Sequence, residues 1–242
     1  MTPRAKTPAS PPRLAELSRR VEARLLIGCI AITAALAGFA ALTAEAREGD
    51  ISAVDRVLLL MFRSPGDLSV QIGPRWVWES ARDITALGGF TVLLLVAVFA
   101  TALLLMHGRR RQALVFAAVV AMTQAASEIL KLLIARPRPA LVAHYDIVYS
   151  SSFPSGHAMM SPVVYLTLAA VLAAGASSRR VKVLLLGSAA ALVAAIGVTR
   201  VYLGVHWPTD VLAGWALGSA IALAASYALV LAEPSRRSDG AR

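Results

Sequence analysis

Two histidines stand in short polar stretches at the edges of long apolar runs. His157 closes the stretch 154–157, PSGH, and His206 lies four residues before Asp210. Pro208 between them is favoured at the first position of a helix, so Asp210 is expected in the first turn of that helix. There its carboxylate can accept the Nδ1 proton of His206, which leaves the Nε2 lone pair free to act as a nucleophile. His157 would be the opposing group, which protonates a departing oxygen and later takes a proton from water.

Three of the cations in the polar stretches are candidates to bind one common ligand. Lys131 and Arg138 fall in the stretch 131–139, KLLIARPRP, and Arg200 falls in the stretch 199–210, TRVYLGVHWPTD. A Lys or Arg at the centre of a membrane helix raises the free energy of insertion by roughly 2.5–3.5 kcal/mol, and by less toward the end of the helix. Several such residues at one depth therefore need a common partner. Two of the three are guanidinium groups, which bind phosphate oxygens in pairs. We therefore expect an anionic ligand, and a phosphoryl group fits best.

A glycine marks the start of the helix that carries His157. Gly156 lacks the side chain that would block close approach to the backbone. Because the helix begins there, the free N–H groups and the positive dipole end of its first turn point toward the same place. The sequence thus predicts backbone donors for the anion as well as three cations.

The composition is that of a membrane protein. Of the 242 residues, 57% are hydrophobic and only 16% are charged, whereas soluble domains average about 45–50% and about 25%. A formal charge of +10 would suggest a nucleic-acid partner in a soluble chain, but in a membrane protein the location of the charges decides the matter. Cys29 is the single cysteine of the sequence, so no intramolecular disulfide can form.

Six apolar runs predict six transmembrane helices. Lipid offers no hydrogen bonds to the backbone, so each run must be helical, and the expected fold is the all-α bundle of a polytopic membrane protein. The predicted spans, which make up a membrane domain over residues 25–232, are 25–44, 87–106, 113–134, 157–174, 183–201 and 211–232. Residues 1–24, basic and rich in proline, are expected to be a mostly disordered tail leading into a short helix, and residues 233–242 a second tail.

Basic residues are concentrated on one side of this predicted bundle. Both tails and the segments 107–111 and 177–182 together carry 15 of the 24 Lys and Arg but only 4 of the 14 acids. Since Lys and Arg favour the cytoplasmic side, both termini are predicted to be cytoplasmic and the three polar stretches extracytoplasmic. A bacterial inner membrane is the expected location, with a eukaryotic endomembrane as the alternative. The expected partners are membrane lipids and not nucleic acid.

The segment 45–88 is expected to be an interfacial helix between the first two spans, on the extracytoplasmic face of the membrane. Its apolar residues recur at helical spacing with charges on the opposite face, and Trp76 and Trp78 suit the headgroup level. It either covers the bundle or guides the substrate, and the sequence leaves both open.

The first span has a second interpretation as a cleavable signal peptide. Residues 44–46, AEA, resemble a cleavage site after a basic lead and an apolar stretch. The apolar run is longer than the 7–15 residues that are usual in signal peptides, which favours an uncleaved anchor.

The polar stretches together resemble the sequence signature of type 2 phosphatidic acid phosphatases, a family that shares its fold with vanadium haloperoxidases. That signature is Lys, six residues, Arg-Pro; then Pro-Ser-Gly-His; then Ser-Arg, five residues, His, three residues, Asp. All three spacings occur in order between Lys131 and Asp210. The one difference is Thr199 in place of the usual serine, which keeps a hydroxyl.

The resemblance implies hydrolysis of a phosphomonoester or diphosphate without a metal or other cofactor, through a phosphohistidine on His206. It makes His157 the general acid and then the general base, and Asp210 the group that orients His206. It also implies a phosphate cradle, which consists of Lys131, Arg138, Ser155, Gly156 and Arg200. The substrate would be a phosphorylated lipid such as phosphatidate, phosphatidylglycerol phosphate or undecaprenyl diphosphate.

Two other functions are compatible with the same sequence. A phosphotransferase that passes the phosphoryl group to another lipid would keep the same catalytic residues, so only its products distinguish it from a hydrolase. A catalytically silent lipid-binding relative would be expected to lose a histidine of the pair or Asp210, and all three are present. Neither the oligomeric state nor the identity of the lipid follows from the sequence.

Other polar and aromatic residues near the motifs are expected to have structural roles. Arg136 is expected at a headgroup or the surface, because the family signature does not use it. Glu128 lies one turn before Lys131 and can pair with it. The remaining ones are His107, His144, Tyr202 and Trp207.

Overall fold

The computed structural model describes residues 12–48, 52–146 and 150–231 of the chain. Within them the helices and strands are, in chain order, α1 (Pro12–Glu48), α2 (Ala53–Leu60), β1 (Arg63–Ser64), β2 (Asp67–Gln71), α3 (Arg75–Ala86), α4 (Phe90–Met106), α5 (Arg110–Ile134), α6 (Gly156–Ser161), a π-helical segment (Pro162–Leu166), α7 (Thr167–Gly175), α8 (Arg179–Tyr202) and α9 (Pro208–Leu231).

Five continuous helical stretches, one of which consists of α6, the π-helical segment and α7, are long and apolar enough to cross a membrane. Five candidate spans qualify on their own, and they are Leu25–Glu48, Arg110–Ile134, Gly156–Gly175, Arg179–Tyr202 and Pro208–Leu229. α3 and α4 meet at a bend of 45° and together form a sixth candidate. Each of the six predicted apolar runs corresponds to a helix, and the helical membrane fold is confirmed. That all six helices cross the membrane stays a prediction.

Large apolar side chains cover the outside of the bundle. Ile30 on α1, Leu95 on α4 and Leu132 on α5 are 59%, 65% and 81% exposed. A soluble monomer rarely exposes continuous apolar surface on this scale, whereas helices that face lipid do so routinely.

The first helix begins earlier than the sequence suggested. α1 runs without a break from Pro12 to Glu48, so the helix into which the predicted tail leads begins at Pro12. Proline suits the first position of a helix, and neither glycine nor proline follows before Gly28. The predicted tails at 1–11 and 233–242 lie outside the described residues.

The segment between the first two spans contains a β-hairpin in addition to helix. β1 and β2 pair antiparallel, with Arg63 opposite Gln71 and Ser64 opposite Asp67. Pro65 and Gly66 connect the two strands, and this pair of residues favours a turn over continued helix. The expectation of helix holds for α2 and α3, but it missed the hairpin between them.

α9 is the helix against which the other site-bearing elements pack. Gly214 and Gly218 lie four residues apart on the face of α9 that contacts α6. A Cβ on Gly214 would lie 2.8 Å from the carbonyl oxygen of Ser155, and one on Gly218 would overlap the carbonyl oxygen of Met159. Small residues at this spacing let membrane helices approach closely. The close contact holds the start of α6 against the start of α9.

Candidate active site

The three polar stretches meet at one end of the bundle. The first stretch lies at the end of α5, the second lies at the start of α6, and the third connects α8 to α9. The backbone N–H of Ser155 donates to the carbonyl oxygen of Asp210 at 3.1 Å, and Nη1 of Arg138 lies 3.2 Å from Nε2 of His206. Residues that are far apart in the sequence are therefore neighbours at this end.

His206 lies in the loop between α8 and α9 and is only 2% exposed. Because the guanidinium of Arg138 can donate but not accept, its contact with Nε2 requires a lone pair there, and the proton of the neutral ring lies on Nδ1. Nδ1 lies 3.5 Å from both Oδ2 of Asp210 and Oγ of Ser152. These distances exceed the optimum for a hydrogen bond, although catalytic contacts often tighten when substrate binds. The arrangement favours the tautomer predicted from the sequence.

The surroundings of His206 keep it neutral. Burial lowers the pKa of His206 well below its ordinary value of 6.5, and the charges of Arg200, Arg138 and Lys131 lower the pKa further. Three cations therefore lie close to this imidazole, as the sequence predicted. A neutral ring has the Nε2 lone pair that a nucleophile needs.

Asp210 is fully buried, and both of its carboxylate oxygens accept hydrogen bonds. Oδ1 accepts from Nη1 of Arg136 at 2.6 Å. Oδ2 accepts from the backbone N–H of Trp207 at 2.9 Å and from the hydroxyl of Ser152. Trp207 is the residue just before α9, and Asp210 is the third residue of that helix. The contact between the N–H of Trp207 and the carboxylate of Asp210 is therefore one half of a capping box. The start of the helix thus fixes the carboxylate that faces His206.

Arg138 reaches His206 from the loop that follows α5. Its Nη1 also donates to the carbonyl oxygen of Val205 at 2.6 Å, and its Nε donates to that of Ser150 at 2.8 Å. Burial, followed by the charge of Arg200, lowers the pKa of Arg138 to about 10. The group therefore stays charged at neutral pH, and backbone oxygens fix its orientation.

Lys131 lies beside the glycine that begins α6. Its ammonium donates to Oγ of Ser150 at 3.2 Å and is 3.6 Å from Oε1 of Glu128, the pairing that the sequence allowed. A Cβ on Gly156 would lie 3.4 Å from this ammonium. The absence of a side chain on Gly156 therefore leaves space between the helix start and the cation.

Arg200 and Ser155 carry buried donors that lack partners. Nη1 of Arg200 donates to Oγ1 of Thr85 at 3.0 Å and to Oδ2 of Asp146 at 2.6 Å. Within the described part of the chain, Nε of Arg200 and the hydroxyl of Ser155 have no hydrogen-bond partner. A buried polar group left unpaired costs about 1–3 kcal/mol. A phosphoryl group would supply acceptors for such donors, so these two side chains fit the predicted cradle.

An apolar groove leads away from the site between α4 and α5. It encloses about 820 Å³, and its wall consists mainly of leucine, valine and alanine side chains. Lys131, Gly156 and His157 form its polar end. At this end His157 is close enough to His206 for a charge on one imidazole to influence the other. A groove of this shape suits a hydrocarbon chain whose polar head lies at the histidines.

Comparison with known proteins identifies the family. Residues 112–232 match the PAP2 superfamily. Phosphatidylglycerophosphatase B of Bacillus subtilis is 34% identical to the chain over 156 residues, which cover 62% of this chain and 74% of that protein. The chain belongs to the PAP2 superfamily.

Two further proteins resemble this PAP2 chain. Decaprenylphosphoryl-5-phosphoribose phosphatase of Mycobacterium tuberculosis is 29% identical over 184 residues, which cover 73% of this chain and 89% of that protein. The crystal structure of a transmembrane PAP2 type phosphatidylglycerolphosphate phosphatase from Bacillus subtilis superposes with a TM-score of 0.71 at 28% identity, covering 80% of this chain and 93% of that one. The predicted family is thus confirmed, the protein is a membrane protein, and its relatives support a phosphatase activity.

One arginine of this PAP2 chain lies elsewhere than the sequence suggested. Arg136 is not at a headgroup or the surface but is 5% exposed. Its guanidinium donates to Asp210 at 2.6 Å and to Oδ2 of Asp55 at 2.8 Å. The expectation was wrong because these partners lie 74 and 81 residues away in the sequence, where no local pattern connects them. Ser152, which contacts Asp210, was missed for the same reason.

The remaining residues singled out in the sequence lie in structural positions. His107 and His144 each contact a backbone carbonyl oxygen, and Tyr202 and Trp207 are buried. The hydroxyl of Thr199 donates to the carbonyl oxygen of Ile196 within its own helix, at 2.7 Å.

Proposed function

We propose that this PAP2 protein hydrolyses a phosphomonoester or diphosphate of a membrane lipid through a phosphohistidine intermediate on His206. The observation that carries the proposal is a buried, neutral imidazole between Asp210 and Arg138. Its protonation state and its neighbours are those that a nitrogen nucleophile requires.

In the first step, Nε2 of His206 forms a bond to phosphorus and the bond between phosphorus and the leaving oxygen breaks. His157, as the imidazolium, gives a proton to that oxygen and becomes neutral. Asp210 stabilises the positive charge that develops on the imidazole. The cations of the cradle and the N–H groups at the start of α6 stabilise the charge on the phosphoryl oxygens.

In the second step, water attacks the phosphohistidine. His157, now neutral, takes a proton from the water as the new oxygen–phosphorus bond forms. The bond from Nε2 to phosphorus breaks, which releases inorganic phosphate and restores the neutral imidazole of His206. No net proton or electron remains on the protein.

The apolar groove supports a lipid as the substrate. The polar end of the groove contains Lys131, Gly156 and His157, and its length is lined by apolar side chains of α4 and α5. The distribution of basic residues in the sequence supports a site on the extracytoplasmic face, with both termini in the cytoplasm. The lipid then enters sideways from the outer leaflet.

Phosphate release by the purified protein in detergent tests this function. The wild type and His206→Ala are compared on phosphatidate, phosphatidylglycerol phosphate and undecaprenyl diphosphate, each with EDTA present. We expect release by the wild type that resists EDTA and disappears in the variant, and the rank order of rates identifies the preferred class of lipid. Substantial activity in a folded His206→Ala protein would contradict the phosphohistidine.

Analysis of the lipid products separates hydrolysis from phosphotransfer. A hydrolase gives one inorganic phosphate for each lipid converted, whereas a phosphotransferase gives a newly phosphorylated lipid acceptor and no free phosphate. The first result is expected, and the second would replace hydrolysis by phosphotransfer with the same residues.

A further inference from the structure

A buried network of charges lies behind the candidate active site, on the side away from the groove. Arg136 lies between two carboxylates, Asp210 of α9 and Asp55 of α2, at 2.6 Å and 2.8 Å. Both carboxylates are fully buried and Arg136 is 5% exposed. Nη1 of Arg136 also donates to Oγ1 of Thr209 at 2.8 Å. Asp55 lies outside the sequence signature of the family, and Arg136 occupies a position that the signature leaves unspecified.

Asp55 also contacts the first turn of α9 directly. Its Oδ1 accepts from the backbone N–H of Thr209 at 2.9 Å, and its Oδ2 accepts from the hydroxyl of Thr209 at 2.7 Å. A carboxylate at a helix N-terminus is stabilised by the helix dipole and by the unpaired N–H groups there. Asp55 thus connects the helix outside the spans to the turn that carries Asp210.

The network leaves Asp210 only one orientation. Arg136 occupies Oδ1, so Oδ2 is the oxygen that faces Nδ1 of His206. Because the guanidinium holds its donors in one fixed plane, it can bridge two carboxylates in fixed positions, whereas the three donors of an ammonium rotate freely. Loss of either contact would let the carboxylate rotate or would leave a buried charge unpaired.

We propose that Asp55 and Arg136 are positioning residues for phosphoryl transfer, which act through Asp210 to hold His206 in the geometry for attack on phosphorus. The proposal rests on the proposed function, because it requires His206 to be the nucleophile. Neither residue is among those that line the groove. They therefore govern the rate of the chemical step and not the binding of substrate.

Kinetics of Asp55→Asn and Arg136→Lys test the proposal. Asparagine removes the charge of Asp55. Lysine keeps the charge of Arg136 but replaces the planar guanidinium by an ammonium. We expect kcat to fall about 10- to 100-fold in each variant, as for other residues that orient a reacting group, with KM within about twofold of the wild-type value. Glu79→Gln is the matched control, because Glu79 is an exposed acid paired with Arg75 on α3, and it should retain wild-type kcat.

A double-mutant cycle separates positioning from a general loss of stability. If Asp55 acts through Arg136, then Asp55→Asn should slow the Arg136→Lys protein by less than about threefold, so the two effects are not additive. Rates are divided by the fraction of monodisperse protein, so partial unfolding does not imitate slow chemistry. Additive losses, unchanged kcat, or a rise in KM with unchanged kcat would each overturn the proposal.

The same experiments keep this proposal apart from the proposed function. If the wild type releases phosphate and His206→Ala does not, while Asp55→Asn and Arg136→Lys are as active as the wild type, only the positioning proposal fails. If His206→Ala is active, the proposed function itself fails.

Discussion

At the scale of single residues, the charges around His206 determine what it can do. Burial and three cations keep the imidazole neutral, whereas Asp210 favours the positive charge that the proposed attack on phosphorus would give it. These opposing effects suit a group that must be neutral before the reaction and become charged only in the transition state.

The lowered pKa of His206 predicts a pH dependence of stability. Below about pH 6.5 the unfolded chain binds a proton on this histidine that the folded chain does not bind, so stability falls as the pH falls through this window. We expect Tm to decrease between pH 7.5 and pH 5.0, and to decrease less in His206→Gln. Thermal unfolding of both proteins in one detergent measures the difference, and equal slopes would show that the pKa of His206 is ordinary.

Asp210→Asn tests the orientation of the nucleophile. Asparagine has one acceptor oxygen in place of two and carries no negative charge to stabilise the imidazolium, so we expect single-turnover phosphate release to slow by about 10²- to 10⁴-fold. KM should change little, because Asp210 is buried behind His206 and does not line the groove. Rapid-quench measurement of one turnover checks this prediction, and an unchanged rate would contradict the role.

The proposed reacting groups stand out in the sequence more clearly than the groups that contact them. His157, His206 and Asp210 could be found because their spacing along the chain places them at helix starts, where a local rule applies. Asp55 and Arg136 could not, since their pairing depends on how α2 packs against α9, which no local pattern encodes. The sequence offers one signal for Asp55, which is that this acid lies four residues before Leu59 and therefore on the same face of α2. The structure shows that this face is buried.

At the scale of elements, the closeness of α6 and α9 determines whether the site can form. The apolar runs predict helices because composition alone decides that a membrane segment is helical. Which faces of these helices touch depends on particular glycines, and the hairpin depends on two turn residues within an amphipathic stretch. Composition alone contains neither signal, so it predicts the spans but not their packing.

Gly218→Ala tests the contact between α6 and α9. The added methyl group would overlap the carbonyl oxygen of Met159. Such overpacking typically lowers the free energy of unfolding by about 1–3 kcal/mol. We expect a lower Tm and lower activity, because α9 carries Asp210. Gly187→Ala is the control, since Gly187 lies in α8 with no atom within 4 Å of the added Cβ, and it should leave Tm unchanged or raise it.

At the scale of the whole molecule, the proposed phosphate site and the apolar groove depend on different interactions. The proposed site depends on charge at the ends of α5, α6 and α8, whereas the groove depends on apolar contact along α4 and α5. The two should therefore respond separately to substitution.

Ala121→Phe tests this separation. Ala121 lines the groove, so a phenyl ring there should raise KM for a diacyl substrate such as phosphatidate by about tenfold, through loss of space for the chain. Hydrolysis of p-nitrophenyl phosphate, which has no chain, should change less than twofold. Ala118→Phe is the control, because Ala118 is exposed on the same helix outside the groove. Equal effects of the two substitutions on phosphatidate would contradict the role of the groove.

The position of Asp55 also has a consequence for how the protein is made. Ribosomes synthesise the chain from the N-terminus, so this acid emerges 81 residues before Arg136 and 154 residues before Thr209. α2 is not among the candidate membrane spans, so during this interval its carboxylate can stay hydrated and need not enter lipid without a counter-ion. Its contacts with Thr209, and the contact of Arg136 with Asp210, can form only after α9 has been synthesised. The network is therefore expected to be completed last, and a chain that stops before α9 leaves Asp55 without Thr209.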